Sequence, residues 1–377
     1  MNIAFLTAQD PRDRRSWSGI YYYMAKALAQ YCGKVTPLGP VNLHQVFLGK
    51  VLNKVSRLLF NATYNNSHNL SLARKYARIF QNKISAGQFD LIFAPSASVE
   101  IALLEAGPPI VTCQDAAFAQ MDGYYPSFSN FSPGARREAN LVESLAISKS
   151  RLALYASQWA ARSAIHDYHA DPGKVHVIPF GANLDETPSQ EAILAKKKSD
   201  RCRLLFLGAE WDRKGGDIAF ETLVKLEDLK LPGQLTVCGC VPPKRYTHRN
   251  FKVIPFLNKN IPAQRAQLHE LLLSSDFLLM PTRADCTPIV FCEASAYGLP
   301  VITADTGGVT EVVKSGENGY VLPHDAVAAD YARLIYEIFG DERRYCELVS
   351  RSRTAYEERL NWDTWGRKVR QLFDEIS

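Results

Sequence analysis

Short apolar runs alternate with longer stretches whose apolar residues recur at helical spacing, and the alternation holds along the whole chain. In the first half the runs predict strands at 2–7, 34–38, 90–94, 109–113, 151–155 and 175–178. Helices are predicted near 19–31, 44–60, 70–86, 134–147 and 158–168. In the second half strands are predicted at 203–208, 234–239, 252–256, 276–280, 300–304 and 319–322, again with helices between. Strands that alternate with helices in this way pair in parallel under a helical cover, so the fold class is α/β. A chain of 377 residues exceeds one ordinary core, and two domains are expected. NLDETPSQEAILAKKKSD (183–200) is polar, has no clear strand and reads as a linker. The expected division is 1–180, 181–360 and a closing helix-like stretch, 361–377.

Composition changes this picture little, because 46% hydrophobic residues are ordinary for a globular protein. The eight cysteines are scattered, with no CxxC and no Cys/His cluster at zinc spacing. They are expected to be reduced thiols in the cytoplasm. The N-terminus opens on a strand rather than a charged and apolar leader, so no signal peptide is expected. No apolar run approaches the length of a membrane span.

Charge is more informative than composition. The net value is only +5, yet residues 14–88 hold eleven Lys and Arg and not one Asp or Glu. Within that window Lys50, Lys54 and Arg57 share one face of HQVFLGKVLNKVSRLLF (44–60), beside a broad apolar arc. Such a helix suits an anionic membrane surface or an anionic acceptor. A domain helix that buries its apolar arc and solvates its cations has the same pattern. No recognition helix or RNA-stacking motif accompanies the charge, so nucleic acid is not expected as a partner.

Candidate chemistry collects in loops at the carboxyl ends of strands, where ligands of open α/β sheets bind. In DCTPIVFCEASAYGLPVI (285–302), Asp285 lies on such a loop. Glu293 lies about one turn into a helix that starts near Ile289 and stops at Gly298-Leu299-Pro300. A helix start attracts phosphate, and carboxylates on either side suit hydroxyls. A nucleotide sugar has that composition, although a capping Asp and a solvated Glu give the same spacing. In LLFLGAEWDRKGGD (204–217), Arg213 and Lys214 precede Gly215-Gly216 at another helix mouth, a setting for a diphosphate or a plain basic turn. TADTGGVTEVV (303–313) is a third such loop. AQDPRDRRSWSGIYYY (8–23) is a fourth, with Asp10, Asp13, Arg14, Arg15 and Trp17 giving polar and aromatic reach toward a sugar. Gly19 there offers close backbone approach.

Taken together, VHVIPFGANLD (175–185), FLGAEWDRKGGD (206–217), PTRADCTPIVFCEASAYGLPVITADTGGVTEVV (281–313) and GENGYVLP (316–323) resemble retaining GT-B glycosyltransferases, in particular glycosyltransferase family 4. The resemblance covers nearly the whole chain. It implies two Rossmann-like domains with parallel sheets facing across a cleft. The first would bind the acceptor, the second the nucleotide sugar, and the last helix would pack back on the first. By resemblance Glu293 holds the ribose hydroxyls, Lys214 neutralises the diphosphate with Arg213 as helper, and Asp285 binds hydroxyls of the donor sugar. The backbone from Thr287 through Pro288 and Ile289 to Val290 contacts sugar and phosphate. Gly19 lies near the diphosphate, and Asp10, Arg14 and Trp17 reach the acceptor.

Three positions depart from the family pattern. Asp285 stands where Glu is usual, Ala209 follows Gly208 where Arg is common, and Cys113-Gln114-Asp115 occupies the place of a frequent His. Asp115 is the nearest catalytic candidate there. The implied reaction is transfer of a hexose-type sugar, with retention, from a UDP- or GDP-sugar to a glycan or lipid-linked saccharide in cell-surface polysaccharide or glycolipid synthesis. It would run in the cytoplasm or on the inner face of a membrane. No Asp-x-Asp lies in the donor half, so neither metal nor cofactor is expected. The alternatives are a nucleotide-sugar epimerase and a non-catalytic glycan-binding protein. A dinucleotide oxidoreductase is disfavoured, because the first strand-end loop lacks GxGxxG.

Overall fold

The computed structural model describes residues 1–41, 65, 67–105, 107–194 and 199–376. The expected helix at 44–60, with Lys50, Lys54 and Arg57, lies outside the described residues. The chain divides into two units, 1–179 with 365–377, and 180–364. The first boundary thus falls one residue before the expected one, and the second falls within the last helix, Trp362–Ile376.

Unit 1 is built on a six-stranded parallel sheet of β1 (Asn2–Phe5), β2 (Lys34–Pro37), β3 (Leu91–Pro95), β4 (Ile110–Gln114), β5 (Ser150–Tyr155) and β6 (Val175–Val177), in the order β2-β1-β3-β4-β5-β6. β3 and β4 are buried at every position, while the edge strands β2 and β6 are half-exposed. Full burial explains why the central strands read as largely apolar runs, broken in β4 only by the buried Thr112 and Gln114. The helix Trp362–Ile376 closes this unit through Trp365 and Phe373, whose rings meet Phe93 at 6.0 and 6.3 Å.

Unit 2 repeats the design with β7 (Cys202–Leu207), β8 (Gly233–Cys238), β9 (Phe251–Ile254), β10 (Phe277–Met280), β11 (Val301–Ala304) and β12 (Gly319–Leu322). Its order is β12-β11-β10-β7-β8-β9, all parallel. Strand order therefore reverses between β7 and β10, which are paired in register at Phe277↔Leu204 and Leu278↔Leu205. Chains leave two such strands in opposite directions and open a crevice above their carboxyl ends.

The stretch expected as a bare linker is in part packed structure. Residues 190–194 form a helix whose Ile193 is buried. Trp362 Nε1 donates to Asn183 Oδ1 at 2.9 Å. A polar surface with one buried apolar residue per turn hid this helix in the sequence.

Candidate functional site

The loop after β7 folds as a series of tight turns. Lys214, Gly215 and Gly216 amides donate to the carbonyls of Glu210, Asp212 and Trp211 at 3.1, 3.2 and 2.9 Å. Gly215 has φ +74°, and a Cβ there would lie 1.9 Å from the Pro281 carbonyl oxygen. Only glycine lets this loop press against the loop after β10. The contact brings Lys214 to Asp285: its ammonium donates to Asp285 Oδ2, and the side chains are only 11% and 9% exposed. The pair sits at the switch point of the sheet. A buried ion pair offsets its desolvation only while both partners are present, so a ligand that separates it must serve both charges.

Arg213 lies beside this pair, and its guanidinium donates to the Ala284 carbonyl at 2.6 Å and to Glu210 at 2.7 and 3.0 Å. The Arg283 amide returns a bond to the Arg213 carbonyl at 2.8 Å. Arg213 thus straps the two loops together. The loop after β11 joins them, with the Gly308 amide donating to the Asp285 carbonyl at 3.2 Å and Thr306 Oγ1 to the Arg283 carbonyl at 3.2 Å. The three chemically loaded loops of the second half of the sequence are therefore neighbours in space.

Thr287 and Pro288 lead into the helix Ile289–Ala296, with Pro288 at its N-cap and no side chain capping it. The Phe291 amide donates to the Pro288 carbonyl at 2.9 Å, the amides of Ile289 and Val290 before it precede the helix's own hydrogen-bond ladder, and the dipole there favours an anion. Ile289 is buried and Val290 half-buried. Glu293 is the fifth residue, 2% exposed, and accepts from Lys259 Nζ at 2.5 Å. It is not the solvated Glu that the spacing alone allows. Lys259 comes from the loop after β9 and is the residue the sequence reading missed. Its one signal was a lysine in a strand-end loop, FLNKN (256–260).

In unit 1 the loop after β1 carries two short-range ion pairs, Arg12–Asp10 and Arg15–Asp13, at 3.0 and 2.9 Å. The Arg12 guanidinium holds the Asp10 carboxyl below its usual range. Arg14 lies 4.3 Å over the Tyr22 ring and donates to its hydroxyl at 3.0 Å. Trp17, Ser18 and Gly19 have φ of +46°, +56° and +90°. This left-handed run places the Trp17 indole on Asp115, Nε1 donating to Oδ2 at 3.3 Å. Trp17, Gly19 and Asp115 thus form a second grouping, within unit 1. Tyr21 and Tyr23 are buried packing residues.

Gln114, in the stretch where the resemblance leads one to expect a histidine, is buried with Ser98 and Glu143. Oriented to satisfy both ends of its amide, it donates to Glu143 Oε1 at 3.1 Å and the Ala116 carbonyl at 3.0 Å and accepts from Ser98 Oγ at 2.8 Å. Burial pushes Glu143 up to about 7, against the opposing pull of the Ser98 and Gln114 hydrogen bonds. Burial also raises Glu100 to about 7, although the Ala8 amide donates to it at 3.3 Å. Neither buried acid was singled out in the sequence. Among the described residues no cluster of three or more His, Cys, Asp or Glu could hold a metal, and no helix is long and apolar enough to cross a membrane.

Residues 201–341 match the family of glycosyl transferases group 1. The D-inositol 3-phosphate glycosyltransferase of Xylanimonas cellulosilytica is 27% identical over 221 residues, 54% of this chain and 52% of its own. The lipopolysaccharide glucosyltransferase WaaG of Escherichia coli K12 is 28% identical over 164 residues, 41% of this chain and 44% of its own. The chain spans about half the length of the curated relatives it matches. Among solved structures, the sucrose-phosphate synthase of Thermosynechococcus elongatus superposes with TM-score 0.70 at 16% identity, covering 100% of this chain and 98% of that one. Anabaena HepE in complex with UDP and glucose superposes with TM-score 0.67 at 18% identity over 100% of both chains. This chain accordingly has the GT-B glycosyltransferase fold, with the group 1 glycosyl transferase family match lying in its second unit, over residues 201–341.

Proposed function

We propose that the protein is a retaining glycosyltransferase that moves a hexose-type sugar from a UDP- or GDP-sugar to a saccharide acceptor, free or lipid-linked. The Lys214–Asp285 pair at the switch point of the second sheet carries this reading. A nucleoside diphosphate sugar can replace both partners at once: its diphosphate takes the ammonium, and its sugar hydroxyls take the carboxylate. As the bond to the anomeric carbon breaks, charge grows on the diphosphate. Lys214 and the uncapped start of the helix Ile289–Ala296 stabilise it there. A departing phosphate oxygen then helps to take the acceptor proton on the same face, which gives retention. Glu293 holds the ribose, and Trp17 with Asp115 faces the acceptor. The solved complexes of Anabaena HepE with UDP-glucose support a nucleotide-sugar donor. The inositol phosphate and lipopolysaccharide named for the relatives support a polar or membrane-borne acceptor.

A panel of nucleotide sugars screened by thermal shift tests the donor, since ligand at a hundred times Kd adds about 2.7 kcal/mol to stability. In sugar-transfer assays with the donor so found, Lys214→Ala is expected to lower turnover at least about tenfold at saturating donor. Near-normal turnover contradicts its phosphate role. Glu293→Ala is expected to weaken calorimetric binding of the nucleotide, and unchanged affinity removes Glu293 from the ribose. Contact with an anionic membrane through Lys50, Lys54 and Arg57 predicts that neutralising all three reduces sedimentation with anionic vesicles at low salt.

A further inference from the structure

Lys259 is placed with more care than a chance surface partner of Glu293 requires. Its turn is fixed on three sides. The Asn258 amide donates to Gln264 Oε1 at 2.6 Å, the Asn260 amide to Asn258 Oδ1 at 2.9 Å, and Arg265 Nη1 to the Lys259 carbonyl at 3.3 Å. The Ile261 amide closes the turn on the Asn258 carbonyl at 3.0 Å. The ammonium then reaches Glu293 Oε1 at 2.5 Å, across 34 residues of sequence. Glu293 is only 2% exposed, whereas Lys259 is 33% exposed. The lysine therefore forms the accessible half of the pair, and a ligand that approaches the carboxylate meets an ammonium beside it.

A carboxylate only accepts hydrogen bonds, and an ammonium only donates them. A hydroxyl does both. An adjacent acceptor and donor on a fixed turn thus match the two sides of one hydroxyl, or of a vicinal diol. We propose that Lys259 reads the ribose of the nucleotide: its ammonium donates to the hydroxyl oxygen whose proton Glu293 accepts. The pair then selects a ribonucleoside diphosphate over its 2′-deoxy and 3′-deoxy counterparts. This rests on the donor assignment proposed above and adds to it the residue that sets preference for the ribose.

The test is calorimetric binding of UDP and GDP and of their 2′-deoxy and 3′-deoxy forms, with the wild-type chain, Lys259→Met and Lys259→Arg. The wild type is expected to bind the better ribonucleotide about tenfold more tightly than at least one deoxy form. Lys259→Met is expected to remove most of that ratio by weakening the ribonucleotide alone, and Lys259→Arg to restore part of it. A purely structural ion pair would lower all affinities together and leave the ratio intact, and that result overturns the proposal. Should Lys259→Met not fold, the double variant Lys259→Met/Glu293→Gln removes both charges at once. Retention of the wild-type ratio by the double variant likewise overturns it. Failure of the wild type to bind either UDP or GDP would sink the donor assignment itself, whereas tight binding with no ribose preference sinks only the role of Lys259.

Discussion

Glu143 and Glu100 are carboxyls whose burial should make the stability of this protein depend on pH in an unusual sense. Each rises from an ordinary 4.5 to about 7 in the folded chain. Below the lower value each is protonated in both states. Between the two values the unfolded chain releases the proton and the folded chain keeps it, so stability falls as pH rises. Above the upper value the loss is complete, on the order of 3 kcal/mol for each group. Glu143→Gln removes its share, and its amide oxygen can still accept from Gln114. Urea unfolding at pH 4.5 and pH 8 should show the variant gaining on the wild type at the higher pH only. An equal difference at both would mean that Glu143 is ionised in the fold. At this scale the sequence was partly legible. Glu293 stood out as a charge inside the apolar helix FCEASA, whereas Lys259 resembled any other loop lysine.

Elements were legible where their pattern was local. The central strands show as apolar runs because both faces are covered, and the helix Ile289–Ala296 by its Gly-then-Pro stop. That helix is buried nearly all round, so helical periodicity could not have found it. Glycines at the loop junctions show only that a tight turn is needed, and not what the turn approaches. Gly215→Ala tests that approach. A methyl 1.9 Å from the Pro281 carbonyl oxygen, at a φ of +74°, must push the loops after β7 and β10 apart. The expected cost is about 1–3 kcal/mol from the backbone alone, with loss of nucleotide binding in calorimetry. Gly134→Ala is the control, since a Cβ there meets nothing within 4 Å. Similar melting temperatures for both variants would mean the two loops do not depend on their close contact.

On the scale of the molecule, the last helix returns the chain to unit 1 after unit 2 is complete. Trp365, Val369 and Phe373 are at most 1% exposed, and each buried side chain of this size contributes about 1.5–3 kcal/mol. Ending the chain at Thr364 should therefore remove about 6 kcal/mol, comparable with the whole stability of a typical domain. Hydrogen exchange should find lost protection in β1 and β3 while β7 and β10 keep theirs. Equal protection in both sheets would show the helix to be dispensable.

The sequence by itself determined two runs of alternating strands and helices and the loops in which chemistry could lie, because strand, helix and turn preferences act over a few residues. It did not determine the partners. Lys214 meets Asp285 across 71 residues, Lys259 meets Glu293 across 34, and Trp17 meets Asp115 across 98. Each of these pairings follows from strand order and from loops packed closely enough for two charges, or a ring and a carboxylate, to meet. Strand order is set by how whole elements bury their faces, a property of the folded chain that no local stretch encodes.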